Sequence, residues 1–135
     1  MARLSPYAKD PNSHAAGTGG PADGTFKNLA TGETEKRFNG GNILDENISR
    51  DTNAPGTLSM ANTGSKNTGG SQFFINVADN WRLDWFSEGP SQHPVFARVV
   101  SGYDTCVAIS QVPTNDDNPL SPIRVDATVV RNLTS

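Results

Sequence analysis

The residue types best suited to a binding site lie in one short segment, 71–77, which has the sequence SQFFINV. Its aromatic and β-branched residues predict a strand, and side chains alternate between the two faces of a strand. One face then carries an aromatic ring between two amides, a combination that suits the floor of a polar-rimmed pocket. That face consists of Gln72, Phe74 and Asn76. The opposite face is expected to pack into the core and consists of Phe73, Ile75 and Val77.

Other residues that could carry chemistry have simpler explanations. His93 taken alone is more typical of a hydrogen-bonded structural histidine than of a functional one. Segment 64–70, GSKNTGG, lacks the Gly-Lys-Ser/Thr ending of a phosphate-binding loop and is not expected to open a helix. Asp45, Glu46 and Asp51 match no calcium-loop spacing, so they are expected to be solvated acids rather than metal ligands. We therefore expect no metal site.

Four strands and one helix are predicted to position these residues. The strands are expected at 57–61, 71–77, 94–100 and 123–129, and the helix at 104–111. The helix follows a glycine and begins with an acidic residue, which suits the positive end of its dipole. Cys106 falls on its inward face and is expected to be buried and inert. As the only cysteine, it also excludes an intrachain disulfide and a Cys-based zinc site.

The first half of the chain differs from the second half in composition. Residues 1–56 are rich in Gly, Asn, Ser, Thr, Asp and Pro and contain several turn signals. This pattern predicts either a long surface loop or a series of short hairpins lying against the rest of the domain. With no βαβ rhythm, internal repeat or heptad, the chain is expected to be an antiparallel, mostly β domain, either a barrel or a sandwich.

Composition limits the classes of protein. The chain has 135 residues, which suits one domain, and 34% of them are hydrophobic. The formal net charge is −3 and no basic cluster is longer than Lys36-Arg37, which argues against nucleic-acid binding. Apolar runs are far shorter than the roughly 20 residues of a membrane-spanning helix. The first residues show no secretory signal, so a cytoplasmic location is favoured, unless a targeting segment precedes them.

Several motifs, in their order along the chain, resemble the cyclophilins, which are peptidyl-prolyl isomerases. They are GTLSMANTG at 56–64, GSQFFI at 70–75, Leu83-Asp84, HPVF at 93–96 and VVSG at 99–102. The resemblance covers residues 43–130 closely and 17–42 loosely. It implies an eight-stranded antiparallel barrel capped by helices. It also implies isomerisation of Xaa-Pro bonds in peptides and folding proteins, with no cofactor.

The resemblance implies two groups of substrate-binding residues. The proline ring would contact Phe74, Leu83 and His93. The substrate backbone would be held by Gly17, Ala61, Asn62 and Gln72. The alternation argument independently places Gln72 and Phe74 on one face.

The sequence departs from the family pattern at its start and in two loops. Arg3 stands where a Phe-x-Arg motif would supply the catalytic arginine, with Met1 in place of the phenylalanine. Family members have two strands and a helix before this point, so the domain is expected to be incomplete. Residues between Gly20 and Asp45, and residues 85–92, are more numerous than in most members. In many members a tryptophan that supports cyclosporin binding stands at the position of Arg82.

Two functions are compatible with these features. The first, which is the main prediction, is a prolyl isomerase. The second is a cyclophilin-like module with weakened catalysis that uses its groove or inserted loops to dock on a larger protein assembly. The departures at residues 1–14 and the aromatic pair Trp85-Phe86 favour the second.

Overall fold

The computed structural model describes residues 19–29, 31–47, 49–89, 91–115, 117–121, 123, 125 and 126. Within these ranges the chain is mostly β-structure with one short helix. The strands are β1 Gly24–Lys27, β2 Thr34–Arg37, β3 Thr57–Met60, β4 Phe73–Ile75, β5 Val95–Arg98, β6 Thr114–Asn115 and β7 Asn118–Pro119. The helix, α1, spans Tyr103–Ser110, and a single 3₁₀ turn spans Trp81–Leu83. Arg3 and Gly17 lie outside the described residues.

β1 and β2 form an antiparallel hairpin in the glycine-rich first half of the chain. Its turn is organised by Asn28, whose backbone oxygen accepts a hydrogen bond from Gly32 N–H (2.8 Å). The Asn28 side-chain Oδ1 accepts from Thr31 N–H (3.3 Å). Gly32 has φ +74°, a conformation that favours glycine. The hairpin alternative of the sequence prediction is thus confirmed for this segment.

The central sheet has the strand order β4-β3-β5, and both of its pairings are antiparallel. All three strands were predicted from the sequence, and each is shorter than its predicted range. The pairing of β3 with β5 shifts between Leu58, which pairs with Ala97, and Ser59, which pairs with Val95. Phe96 is therefore the extra residue of a β-bulge. The bulge increases the local twist beside the segment that carries His93.

The two faces of this sheet differ from the prediction. Phe73 is 54% exposed and Val77 is 36% exposed, so the face expected to form the core is largely open within the described residues. Asn76, on the face expected to form a pocket floor, is only 1% exposed. The core assignment was wrong because alternation separates the faces of a strand without showing which one is covered. Val95 is the only fully buried apolar side chain among the described residues.

α1 lies one residue earlier than predicted and follows Gly102, which has φ +74°. Cys106 is half-buried, so the prediction of a buried thiol was wrong; no helix residue is fully buried. With eight residues, α1 is too short to span a bilayer, and the described part of the chain contains no other helix that would do so. The strand predicted at 123–129 falls mostly outside the described residues.

Candidate functional site

Phe74, Leu83 and His93 are brought together by β4, the 3₁₀ turn and the segment before β5. The Phe74 and His93 rings meet edge to face, with centroids 5.5 Å apart and an interplanar angle of 78°. Such aromatic pairs prefer this geometry. The backbone N–H of His93 donates to Leu83 O (2.8 Å), which ties the turn to the same place. All three residues are half-buried, so they combine a fixed position with access from solvent.

The His93 ring is held by both of its nitrogens. Nδ1 lies 3.0 Å from Met60 O, at the end of β3. Nε2 lies 3.0 Å from Ser91 Oγ, two residues earlier in the chain. The ring is therefore fixed against rotation on the face where Phe74 contacts it.

A second group of predicted residues lines a groove just beyond the end of the β3–β4 pair where Met60 pairs with Phe73. Ala61, Asn62 and Gln72 border it together with glycines and threonines of neighbouring loops. Ala61 N–H donates to Gln72 O (2.9 Å), which continues the pairing of β3 with β4 by one residue. The exposed Gln72 side chain donates through Nε2 to Gly19 O (3.1 Å). Backbone and amide groups suited to holding an extended chain thus line this groove.

Asn62 connects this groove to the inserted segment 85–92. Its Nδ2 donates to Gln92 O (2.6 Å), and its Oδ1 accepts from Gly64 N–H (2.8 Å). The side chain therefore fixes the start of the loop after β3 and the end of the inserted segment together. The residue that the sequence analysis expected to hold substrate also organises the loops around it.

A buried polar cluster lies against the sheet face that carries Phe74. Its members are at most 4% exposed, and they are Asn53, Thr57, Ser59, Asn76 and Asp84. Asn53 Oδ1 accepts from Ser59 Oγ (2.6 Å) and Asn76 Nδ2 (3.3 Å). Asn76 Nδ2 also donates to Thr57 Oγ1 (2.9 Å). Among the described residues no buried side-chain nitrogen or oxygen lacks a partner, so this cluster avoids the cost of burying unpaired polar groups.

The buried polar cluster also fixes the two ends of the inserted segment. Asp84 Oδ1 accepts from Asn53 N–H (2.7 Å) and Asn53 Nδ2 (2.8 Å), and Oδ2 accepts from Thr52 Oγ1 (2.6 Å). Asn53 Nδ2 also donates to His93 O (3.0 Å). Leu83 and His93, which flank these contacts, are thereby held at a set separation. Asn53 was not identified from the sequence. Thr57 and Ser59, which alternate along β3, were the available indication that this strand face contacts other polar side chains.

The inserted segment is anchored by aromatic side chains. Trp85 Nε1 donates to Ser49 O, and the Trp85 and Phe86 rings meet edge to face at 5.6 Å. The Arg50 guanidinium lies 4.8 Å from the Phe86 ring centroid, within cation–π range. The predicted alternatives for this pair were a partner contact and packing onto the domain. Both rings are half-buried against segment 49–50, which agrees with packing.

These features define a class: a mostly β domain whose central sheet carries an aromatic–imidazole pair beside a groove lined by backbone and amide groups. The family model described as "Cyclophilin type peptidyl-prolyl cis-trans isomerase/CLD" matches residues 12–130. The chain belongs to the cyclophilin-type peptidyl-prolyl cis-trans isomerase family, which confirms the resemblance seen in the sequence motifs.

Individual relatives agree with this assignment. Peptidyl-prolyl cis-trans isomerase cyp11 of Rhizopus delemar is 40% identical over 96 residues, which are 70% of this chain and 26% of that protein. Peptidyl-prolyl cis-trans isomerase A of Dickeya dadantii is 40% identical over 80 residues, 59% of this chain and 42% of that protein. A peptidyl-prolyl cis-trans isomerase of Acinetobacter baylyi is 35% identical over 86 residues, 60% of this chain and 45% of that protein. The matched part of the chain thus spans about a quarter to a half of the length of these relatives.

Proposed function

We propose that this protein is a peptidyl-prolyl cis-trans isomerase that binds Xaa-Pro segments of peptides and unfolded proteins. The observation that carries the proposal is the edge-to-face contact of Phe74 with His93, which is half-buried and adjoins Leu83 through a backbone hydrogen bond. The relatives that match the chain are named as enzymes of this activity. That favours the isomerase over the alternative of a docking module with weakened catalysis.

The reaction is a rotation and breaks no covalent bond. Rotation about a peptide bond faces a barrier of about 18–20 kcal/mol, and uncatalysed exchange at proline takes roughly 10–100 s. A catalyst therefore has to grip the proline ring, hold the flanking chain and favour the twisted amide. No nucleophile or general base is required by this chemistry.

The described residues divide these tasks. Phe74, Leu83 and His93 offer a half-buried apolar surface for the pyrrolidine ring. Gln72 and Asn62 offer amide groups, and Ala61 offers backbone groups, for the neighbouring peptide units. Gly17 joins this second group through the resemblance alone, because it lies outside the described residues.

Arg3 is proposed as the catalytic residue by resemblance, and it too lies outside the described residues. As the amide twists, its nitrogen lone pair localises and can accept a hydrogen bond. A guanidinium aimed at that nitrogen stabilises the transition state more than the ground state. We expect Arg3→Ala to lower kcat while leaving KM nearly unchanged, because the pocket that grips proline stays intact.

The test is isomerisation of an Ala-Pro peptide, followed by exchange NMR and by a protease-coupled absorbance assay. Phe74→Ala removes the ring that would contact proline. A contact of this size is worth about a 10- to 100-fold change in kcat/KM. The matched control is Phe73→Ala, which removes an identical ring one position away on the opposite face, where it contacts Phe96.

We expect Phe73→Ala to retain kcat/KM within about twofold, with circular dichroism confirming that both variants fold. Equal losses in the two variants would assign the effect to general destabilisation and contradict the site. A folded wild-type protein that binds the peptide without turnover would contradict the isomerase and favour the docking module.

We also propose that residues 1–135 belong to one cyclophilin-like domain, in which β3, β4 and β5 are part of an antiparallel barrel. The family match over residues 12–130 supports this proposal, as does the antiparallel, bulged sheet. Amide hydrogen exchange tests it. Protection of N–H groups on the outer edges of β4 and β5 is expected if neighbouring strands pair there, and rapid exchange at both edges would refute closure.

A further inference from the structure

The two partners of the His93 ring determine where its proton lies. Nδ1 is 3.0 Å from Met60 O, and a carbonyl oxygen can only accept a hydrogen bond. Nδ1 of a neutral ring must therefore carry the proton, which leaves Nε2 as an acceptor. Ser91 Oγ, at 3.0 Å from Nε2, is then the donor. The contact is directional, from the serine hydroxyl to the imidazole.

Ser91 belongs to the inserted segment 85–92, which none of the shared motifs includes. Contacts on its C-terminal side nevertheless hold it in place. Gln92 O accepts from Asn62 Nδ2 (2.6 Å), and Ser91 is half-buried. The other end of the segment is anchored where Asp84 enters the buried polar cluster. The hydroxyl is thus presented to His93 by a segment fixed at both ends.

We propose that Ser91 is a positioning residue for the isomerase site, acting through His93. Its hydroxyl holds the imidazole in the Nδ1–H tautomer and in the orientation that meets Phe74 edge to face. This inference rests on the proposed function, because it concerns the same proline-binding surface. In this arrangement the inserted segment contributes to substrate binding as well as to packing.

We expect loss of the Ser91 hydroxyl to weaken substrate binding and to leave the isomerisation step itself nearly unchanged. Without the hydroxyl, His93 keeps its Met60 contact but gains freedom to tilt about it, so the surface offered to proline is less well ordered. A neutral hydrogen bond of this kind corresponds to about a three- to tenfold effect. We expect Ser91→Ala to raise KM for the Ala-Pro peptide by that factor and to change kcat by less than about twofold.

The test combines kinetics with ¹⁵N NMR of the imidazole nitrogens at a pH where the rings are neutral. In the wild type, the Nε2 signal of His93 should show the shift of a hydrogen-bonded acceptor. Ser91→Ala should move it toward the value of a free acceptor, and Ser91→Thr, which keeps a hydroxyl, should restore both the signal and KM. His14 is the other of the two histidines in the chain, and its signal should not move.

Ser87→Ala is the matched control, because Ser87 lies in the same segment and its hydroxyl donates to Asp84 O (2.8 Å) instead of to His93. It should leave the Nε2 signal and KM unchanged. An unchanged Nε2 signal in Ser91→Ala, or the same KM increase in Ser87→Ala, would overturn the inference while leaving the isomerase standing. If the wild type shows no turnover, the proposed function fails, and the Nε2 signals of the same variants still decide whether Ser91 positions the ring.

Discussion

Asp84 provides the sharpest test of how the buried polar cluster supports the fold. It is 4% exposed, and its two carboxylate oxygens accept three hydrogen bonds from two adjacent residues. The donors are the backbone N–H and Nδ2 of Asn53 and the hydroxyl of Thr52. Asp84→Ala would remove all three acceptor contacts. Asp84→Asn would keep an oxygen for Asn53, and the Thr52 hydroxyl could then accept from the new amide.

The two substitutions should lower the free energy of unfolding by different amounts. Hydrogen bonds to a charged group contribute about 1.5–3 kcal/mol each, but contacts that share a partner are not additive. Thr52 is exposed and can turn its hydroxyl to water, whereas the Asn53 donors are fully buried. We therefore expect Asp84→Ala to lower the free energy of unfolding by about 3–5 kcal/mol and Asp84→Asn by about 1–2 kcal/mol.

The assay is urea unfolding followed by tryptophan fluorescence. With a denaturant slope of about 1–3 kcal/mol per molar, the alanine variant should shift the midpoint by more than about 1 M. Asp79→Ala is the matched control, because this carboxylate is exposed and accepts only from Trp81 N–H at 3.4 Å among the contacts described. It should change stability by less than about 0.5 kcal/mol. Equal losses for Asp84→Ala and Asp84→Asn would refute the reasoning, since the effect would then follow charge rather than acceptor geometry.

Two further substitutions test the loops around the site by the same unfolding assay. Gly41 has φ +95°, and an added Cβ would lie 2.0 Å from Pro21 O, so Gly41→Ala should cost about 3 kcal/mol or more. Gly40 has φ +88° with open space around it, so Gly40→Ala should cost only about 1 kcal/mol, and equal costs would contradict the steric argument. Arg50→Ala removes a guanidinium 4.8 Å from the Phe86 ring centroid and should lower the free energy of unfolding by about 0.5–1 kcal/mol. Arg50→Lys should recover part of this loss. An unchanged free energy of unfolding in Arg50→Ala would contradict a stabilising contact between Arg50 and Phe86.

Local sequence patterns were sufficient to predict the three strands of the central sheet and the helix, though not the order of the strands. Pro55-Gly56 precedes β3 and Gly102 precedes α1, so turn residues and periodicity predicted the starts of β3, β5 and α1 to within one residue and the start of β4 to within two. The motif resemblance identified Phe74 and His93, which the structure places in contact. Neither kind of argument required knowledge of distant contacts.

The covered face of the sheet could not be predicted in the same way. Alternation correctly placed Phe74 and Asn76 on one side, but their neighbours come from segments far away in sequence. Asn53 contacts Asp84 and His93, which follow it by 31 and 40 positions. Such contacts turn a polar face into the buried one, and they leave Phe73 on the open side. Hydrophobicity alone therefore assigned the wrong face to the interior.

The buried polar cluster links stability to site geometry through shared hydrogen bonds. Asn53 uses one amide nitrogen for both Asp84 and His93 O, so a shift of either partner disturbs the other. An apolar core would tolerate small displacements because dispersion contacts have no preferred direction, whereas these contacts fix distance and angle. Asp84→Asn should consequently lower kcat/KM for a proline peptide even where the variant is fully folded. Gly32→Ala should lower stability without that kinetic effect, because its positive φ strains the β1–β2 turn and Gly32 does not line the groove. Equal kinetic losses in the two folded variants would mean that the cluster stabilises the domain without positioning the site.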